Sequence, residues 1–126
     1  MVQTLEQERA RFALEKINRW RINGQLQDGA DSYTRLVQKF PAMVITNGLG
    51  QALAYLLADN EGKQKPSRKL YNDLGEWLVT RRIYQGPHDK LIDLLITGDR
   101  RTYQLATEET LALVTWMTKF AEAFLK

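Results

Sequence analysis

A chain of 126 residues with 44% hydrophobic and 26% charged side chains has the composition of a globular protein. At this length a fold can bury about two thirds of the surface its unfolded form exposes, so one domain over residues 1–126 is expected. The absence of cysteine excludes disulfides and thiolate chemistry, and no apolar run reaches the ~18 residues of a membrane span. A net charge of +3 does not by itself mark a nucleic-acid binder, although nine basic residues against six acidic ones fall in 60–101. The N-terminus MVQTLEQERARF lacks the apolar core of a signal peptide, and a cytoplasmic location is expected.

Helical signals repeat along the chain. Thr4 with Gln7 forms a capping-box pattern that opens a first helix running to about Ile22, with Leu5, Ala13, Leu14 and Ile17 as its apolar stripe. Asn23-Gly24 ends it, and the polar stretch QLQDGAD reads as a loop with Asp31 as the next cap. Tyr33, Leu36, Val37 and Phe40 share one face of a second helix. Pro41 disfavours helical geometry at Phe40, so a break or kink is expected there.

A third helix then runs to Ala58 with Met43, Ile45, Leu49, Leu53, Leu56 and Leu57 at helical spacing. Gly48 and Gly50 interrupt it at about 1 kcal/mol each relative to Ala, which points to close approach of another backbone. Residues 59–65 (DNEGKQK) read as a loop.

Pro66 suits the first turn of a fourth helix, which carries Leu70, Leu74, Trp77, Leu78 and Arg81 on one side and ends at Gly86-Pro87. A fifth begins at Pro87 and contains Leu91, Ile92, Leu94 and Leu95. A turn at Arg100–Leu105 leads to Thr107, read as the cap of a final helix with Glu108 and Glu109 in its first turn. Leu113, Trp116, Met117, Phe120 and Phe124 form the buried face of that helix. Strand-type alternation is missing everywhere, so the expected fold is all-α, a single compact bundle of six or seven helices.

Catalytic patterns are thin. His88 is the lone histidine, near Asp89 and Asp93, and metal sites generally need three or more protein ligands. Ser32 and Ser67 sit beside helix starts, which suits capping better than nucleophilic attack. Asp99, Glu108 and Glu109 also read as helix-start acids. The Gly48-x-Gly50 pattern lacks the preceding strand and the lysine of a phosphate loop. The chain therefore reads as a non-enzyme with no catalytic residues, no metal and no cofactor.

The basic residues are more suggestive. Arg9, Lys16 and Arg19 lie on neighbouring turns of the first helix, Lys63, Lys65, Arg68 and Lys69 cluster around the polar loop, and Arg81-Arg82 and Arg100-Arg101 are tight pairs. Such clusters can neutralise backbone phosphates without reading sequence. The plainer reading is a solvated face with local ion pairs, such as Arg11 with Glu15.

Three blocks together resemble the small α-helical subunit of the Cmr-type (type III-B) CRISPR RNA-guided effector complex. The first is ERARFALEKI. The second is FPAMVITNGLGQALAYLLA, where Pro41, Met43, Asn47-Gly48-Leu49, Gln51, Leu53 and Tyr55-Leu56 fit the family pattern. The third is YQLATEETLALVTWMTKFAEAFL, with Tyr103, Thr107, Glu109, Trp116, Phe120, Ala121, Ala123 and Leu125 in place. Thr46 stands where a basic residue is more usual, and Lys119 where arginine is usual, which keeps charge but loses a bidentate fork.

The resemblance implies a non-catalytic role in antiviral defence. Copies of the subunit would stack in a minor filament beside the repeated backbone subunit and help hold guide RNA and target RNA. The expected basic face comprises Arg9, Lys16, Arg19, Arg81, Arg82 and Lys119. The competing readings are a free-standing helical regulator that binds DNA, a protein-only adaptor, and a small hydrolase using His88 or Asp93. The nearest helix-turn-helix candidate is the segment Gly98–Thr107.

Overall fold

Residues 2–58 and 65–126 are described by the computed structural model. Helix α1 (Leu5–Asn18) begins as its capping box demands. The Gln7 N–H donates to Thr4 Oγ1 at 3.1 Å, and the Thr4 N–H donates to Gln7 Oε1 at 2.8 Å. The helix stops short of Ile22, because residues 21–26 form a small antiparallel hairpin of β1 (Arg21–Ile22) and β2 (Gln25–Leu26). Asn23 and Gly24 both adopt the positive φ that a two-residue hairpin loop requires, 52° and 78°. Two residues per strand are too few to show alternation, so this hairpin leaves no periodic signal in the sequence and the fold stays all-α in class.

Helix α2 (Ala30–Asn47) follows Gly29 and runs through Pro41 without interruption, so the expected break at Phe40 does not occur. Proline removes the N–H that would have reached the Val37 carbonyl. That carbonyl instead accepts the Thr118 hydroxyl of the last helix at 3.3 Å. Val37, Phe40 and Val44 are all buried, so packing holds the helical path across the proline. The chain breaks at Gly48 instead, with φ 90° and ψ 158°, and α3 (Leu49–Leu57) starts immediately after it. Ile45, placed on the apolar stripe by its spacing, is 75% exposed.

Pro66 opens α4 (Pro66–Thr80) at its first position, and Lys65 rather than a serine precedes it. The chain then turns through Arg82, whose φ is 59°, into a 3₁₀ turn (His88–Lys90) and α5 (Leu91–Thr97). Helix α6 spans Arg100–Phe124 in one piece. Its cap is Asp99, which accepts the Thr102 N–H at 2.7 Å, and this hydrogen bond holds the exposed Asp99 carboxyl below its ordinary value. Thr107 is therefore no cap; its hydroxyl donates to the Tyr103 carbonyl inside the helix at 2.9 Å. Asp31, Ser32 and Ser67 likewise lie within helices rather than at cap positions.

Six α-helices, as expected, account for most of the described residues. Helix α6 is the central element, packed against α1 and α2 and touching α4 and α5. One hydrophobic cluster joins Ile17, Phe40, Leu53, Leu74, Leu113 and Met117. Among the described residues no helix is long and apolar enough to cross a membrane.

Candidate nucleic-acid interface

Helices α1 and α4 run antiparallel, and their facing side chains make a regular seam. Glu8 meets Arg81 at 3.8 Å, Phe12 stacks obliquely on Trp77 at 4.9 Å between ring centroids, Lys16 reaches Glu76 at 2.5 Å, and Arg19 meets Asp73. Positions 8, 12, 16 and 19 are spaced three and four apart, so one stripe of α1 carries the whole seam. Two of the three cations that the sequence groups at the first helix, Lys16 and Arg19, thus belong to a helix–helix contact.

Two carboxylates anchor this arrangement from inside. Asp73 is 2% exposed and receives a bidentate pair of hydrogen bonds from Arg19, one of them Nη1 to Oδ1 at 2.7 Å, plus the Tyr33 hydroxyl at 2.6 Å. The Arg19 guanidinium lies over both Trp20 and Tyr33. Burial pushes the Asp73 carboxyl above its ordinary value, against the pull of Arg19 and Tyr33.

Glu109 accepts Arg9 Nε at 2.7 Å and Nη2 at 2.9 Å, and Trp77 Nε1 donates to it at 3.0 Å. It therefore ties α1, α4 and α6 together at one point. The Arg9 hydrogen bonds hold the Glu109 carboxyl below its ordinary value, outweighing the opposite effect of burial, and Trp77 adds to them. The reading of Glu109 as a first-turn acid is corrected, because α6 begins nine residues earlier, at Arg100.

The six expected cations consequently fall into two groups. Arg9 and Arg19 have their guanidinium forks engaged by buried carboxylates, and Lys16 and Arg81 are partly covered in the seam. Arg82 and Lys119 are exposed, and no ion-pair partner is recorded for either among the described residues. Thr46, in the last turn of α2, is exposed. Arg11 is also exposed, and the expected pair with Glu15 does not form among the described residues. Lys69 lies 4.7 Å over the Trp20 ring.

The glycine block serves the packing of α3. Its start has no side-chain cap of its own, and the Gly50 N–H donates to the Tyr103 hydroxyl of α6 at 2.7 Å. A Cβ at Gly50 would lie 3.2 Å from that oxygen. The close approach expected from the glycines is real, but the approaching group is a side chain rather than a backbone.

A family model described as "CRISPR-associated protein (Cas_Cmr5)" matches residues 5–124. The chain belongs to the Cmr5 family. A relative described as "CRISPR system Cmr subunit Cmr5", from Thermus thermophilus, is 30% identical over 99 residues, spanning 79% of this chain and 80% of that one. The crystal structure of a CRISPR-associated Cmr5 family protein from the same organism superposes with a TM-score of 0.79 at 27% identity. It covers 98% of this chain and 100% of that one. The Cmr5-family fold therefore extends over the helices that carry the α1–α4 seam and both buried carboxylates.

Proposed function

We propose that this chain is a non-catalytic structural subunit of a Cmr-type CRISPR ribonucleoprotein effector, working in the cytoplasm. Copies stack in a minor filament beside the repeated backbone subunit and help hold the guide–target RNA. The observation that carries this reading is the family match, which runs through 5–124 and is accompanied by a likeness in fold along nearly the whole chain. A structural role is supported by Asp73 and Glu109, the two buried acids among the described residues, since each is locked in a bidentate arginine pair with a donating aromatic side chain.

Within the basic face, Arg82 and Lys119 are the members proposed to touch phosphate directly, with the partly exposed Arg81 and Lys16 in a lesser role. Arg9 and Arg19 hold the helices that present these residues. Reversing the charge of Arg82 and Lys119 in the assembled complex should weaken target-RNA retention uniformly across sequences and flatten its salt dependence. Retention that keeps the same affinity and salt slope would refute the assignment.

A further inference from the structure

An open cleft of about 480 Å³ lies where α2, the end of α3 and the start of α4 meet. Ser32, Arg35 and Lys39 line it from α2, Tyr55 from α3, and Lys65 and Ser67 from the beginning of α4. Three cationic side chains and three hydroxyls thus converge on one concavity whose described lining contains no carboxylate. None of them belongs to the six cations considered above.

Arg35, Lys39 and Tyr55 are available in different degrees. Arg35 pairs with Asp31 one turn earlier, but both side chains are mostly exposed, 62% and 82%, so solvent screens the pair and an incoming anion can share the guanidinium. Lys39 gives one of its three N–H donors to the Tyr55 hydroxyl at 3.3 Å, and its ammonium sits 5.6 Å from the Tyr55 ring centroid. Tyr55 itself is 48% exposed, on a helix whose Leu49, Leu53 and Leu56 are fully buried.

Cations that track phosphates beside an exposed aromatic ring are the elements with which single strands are bound irrespective of sequence. The volume lies within the roughly 300–1,000 Å³ of small-ligand sites, far more than one acidic side chain of a partner protein would fill. We infer that this cleft takes one nucleotide of single-stranded RNA, with its phosphate held by Arg35, Lys39 and Lys65 and its base against Tyr55. The cleft is open to solvent, which leaves room for the strand to continue beyond the bound nucleotide. This inference rests on the RNA-holding reading and adds a second contact region to it.

The test uses the assembled effector carrying the wild-type chain, Lys39→Ala or Tyr55→Ala, titrated with single-stranded target RNA over a range of salt. Both residues are exposed, and unchanged melting of the isolated variants checks that they fold. Lys39→Ala should lower the salt slope by about 0.7, the share of one phosphate contact on a single strand. Tyr55→Ala should weaken binding about fivefold or more at an unchanged slope, as loss of one stacked base does.

Wild-type RNA retention with both variants unaltered would overturn the cleft and leave the general reading standing. Failure of the wild-type complex to retain RNA would sink that reading itself. Binding of nucleoside monophosphate in the cleft while neither variant weakens RNA binding would show a site for free nucleotide, and loss of the variant chains from the complex would show a site for a protein partner. Either result refutes the inference.

Discussion

Replacing Arg19 by Met should expose the energetics of the α1–α4 seam. The substitution keeps the apolar stem over Trp20 and Tyr33 but leaves Asp73, 2% exposed, with the Tyr33 hydroxyl as its remaining recorded partner. Breaking a buried pair from one side costs about 3–5 kcal/mol, and the lower end applies because the Arg19 side chain is 32% exposed. At about 4 °C per kcal/mol for a domain of this size, melting at pH 7 should fall by roughly 12 °C.

The cost should also depend on pH in a fixed direction. Burial already raises the Asp73 carboxyl, and removal of Arg19 raises it further. A raised carboxyl lowers stability as pH climbs above the unfolded value near 3.9. Protonation caps the carboxylate penalty at 1.36 kcal/mol per pH unit above that value, which is about 1.5 kcal/mol at pH 5. Thermal and urea unfolding of the variant should therefore show at most about half the destabilisation at pH 5 that they show at pH 7. Adding Asp73→Leu should restore much of the loss, since the uncompensated charge is then gone. A cost that is independent of pH, or below ~1 kcal/mol at pH 7, would refute the reasoning.

Glu109→Gln should cost about 2 kcal/mol at neutral pH by weakening its charge-assisted bonds from Arg9. Glu109 is held below its ordinary value of 4.5, so its contribution is present above that pH and lost as pH falls through the lowered value; unfolding curves of wild type and variant should converge in acid. Gly48→Ala should destabilise by about 1–3 kcal/mol in chemical unfolding, because φ 90° with ψ 158° is open essentially to glycine alone. Thr118→Val should cost about 1 kcal/mol by leaving the Val37 carbonyl below Pro41 without its recorded donor, and an unchanged midpoint would show that water serves as well.

Much of the helical frame was legible because its signals are local. Thr4 with Gln7 and Pro66 at a first helical position each act through their own backbone, and α1 and α4 begin where these residues direct. Gly86-Pro87 is a poorer guide, since α4 already ends at Thr80 and α5 begins at Leu91 rather than Pro87. Signals that depend on the rest of the fold misled. Pro41 reads as a break only while the Thr118 donor on α6 is unseen, and Gly48 reads as helical only while its φ is unknown.

The start of α6 shows how one boundary propagates. With Thr107 as cap, Glu109 looks like an acid answering a helix dipole. With Asp99 as cap it falls on the stripe Ala106, Thr110, Leu113 and Met117, where a carboxylate needs a buried partner. Asp73 gave the same warning between Leu70 and Leu74 on α4. An acid inside an apolar stripe was the available clue that Arg9 and Arg19 have carboxylate partners of their own. Contact with RNA leaves no such mark in one chain, because phosphates are met by ordinary exposed cations.

The most direct test of the account is recovery of the tagged chain from its native cell, with sequencing of nuclease-protected RNA and identification of co-purifying proteins. CRISPR-repeat-derived guide RNA together with other Cmr subunits is the expected result. Recovery of the chain alone, or with DNA and no guide RNA, would contradict it.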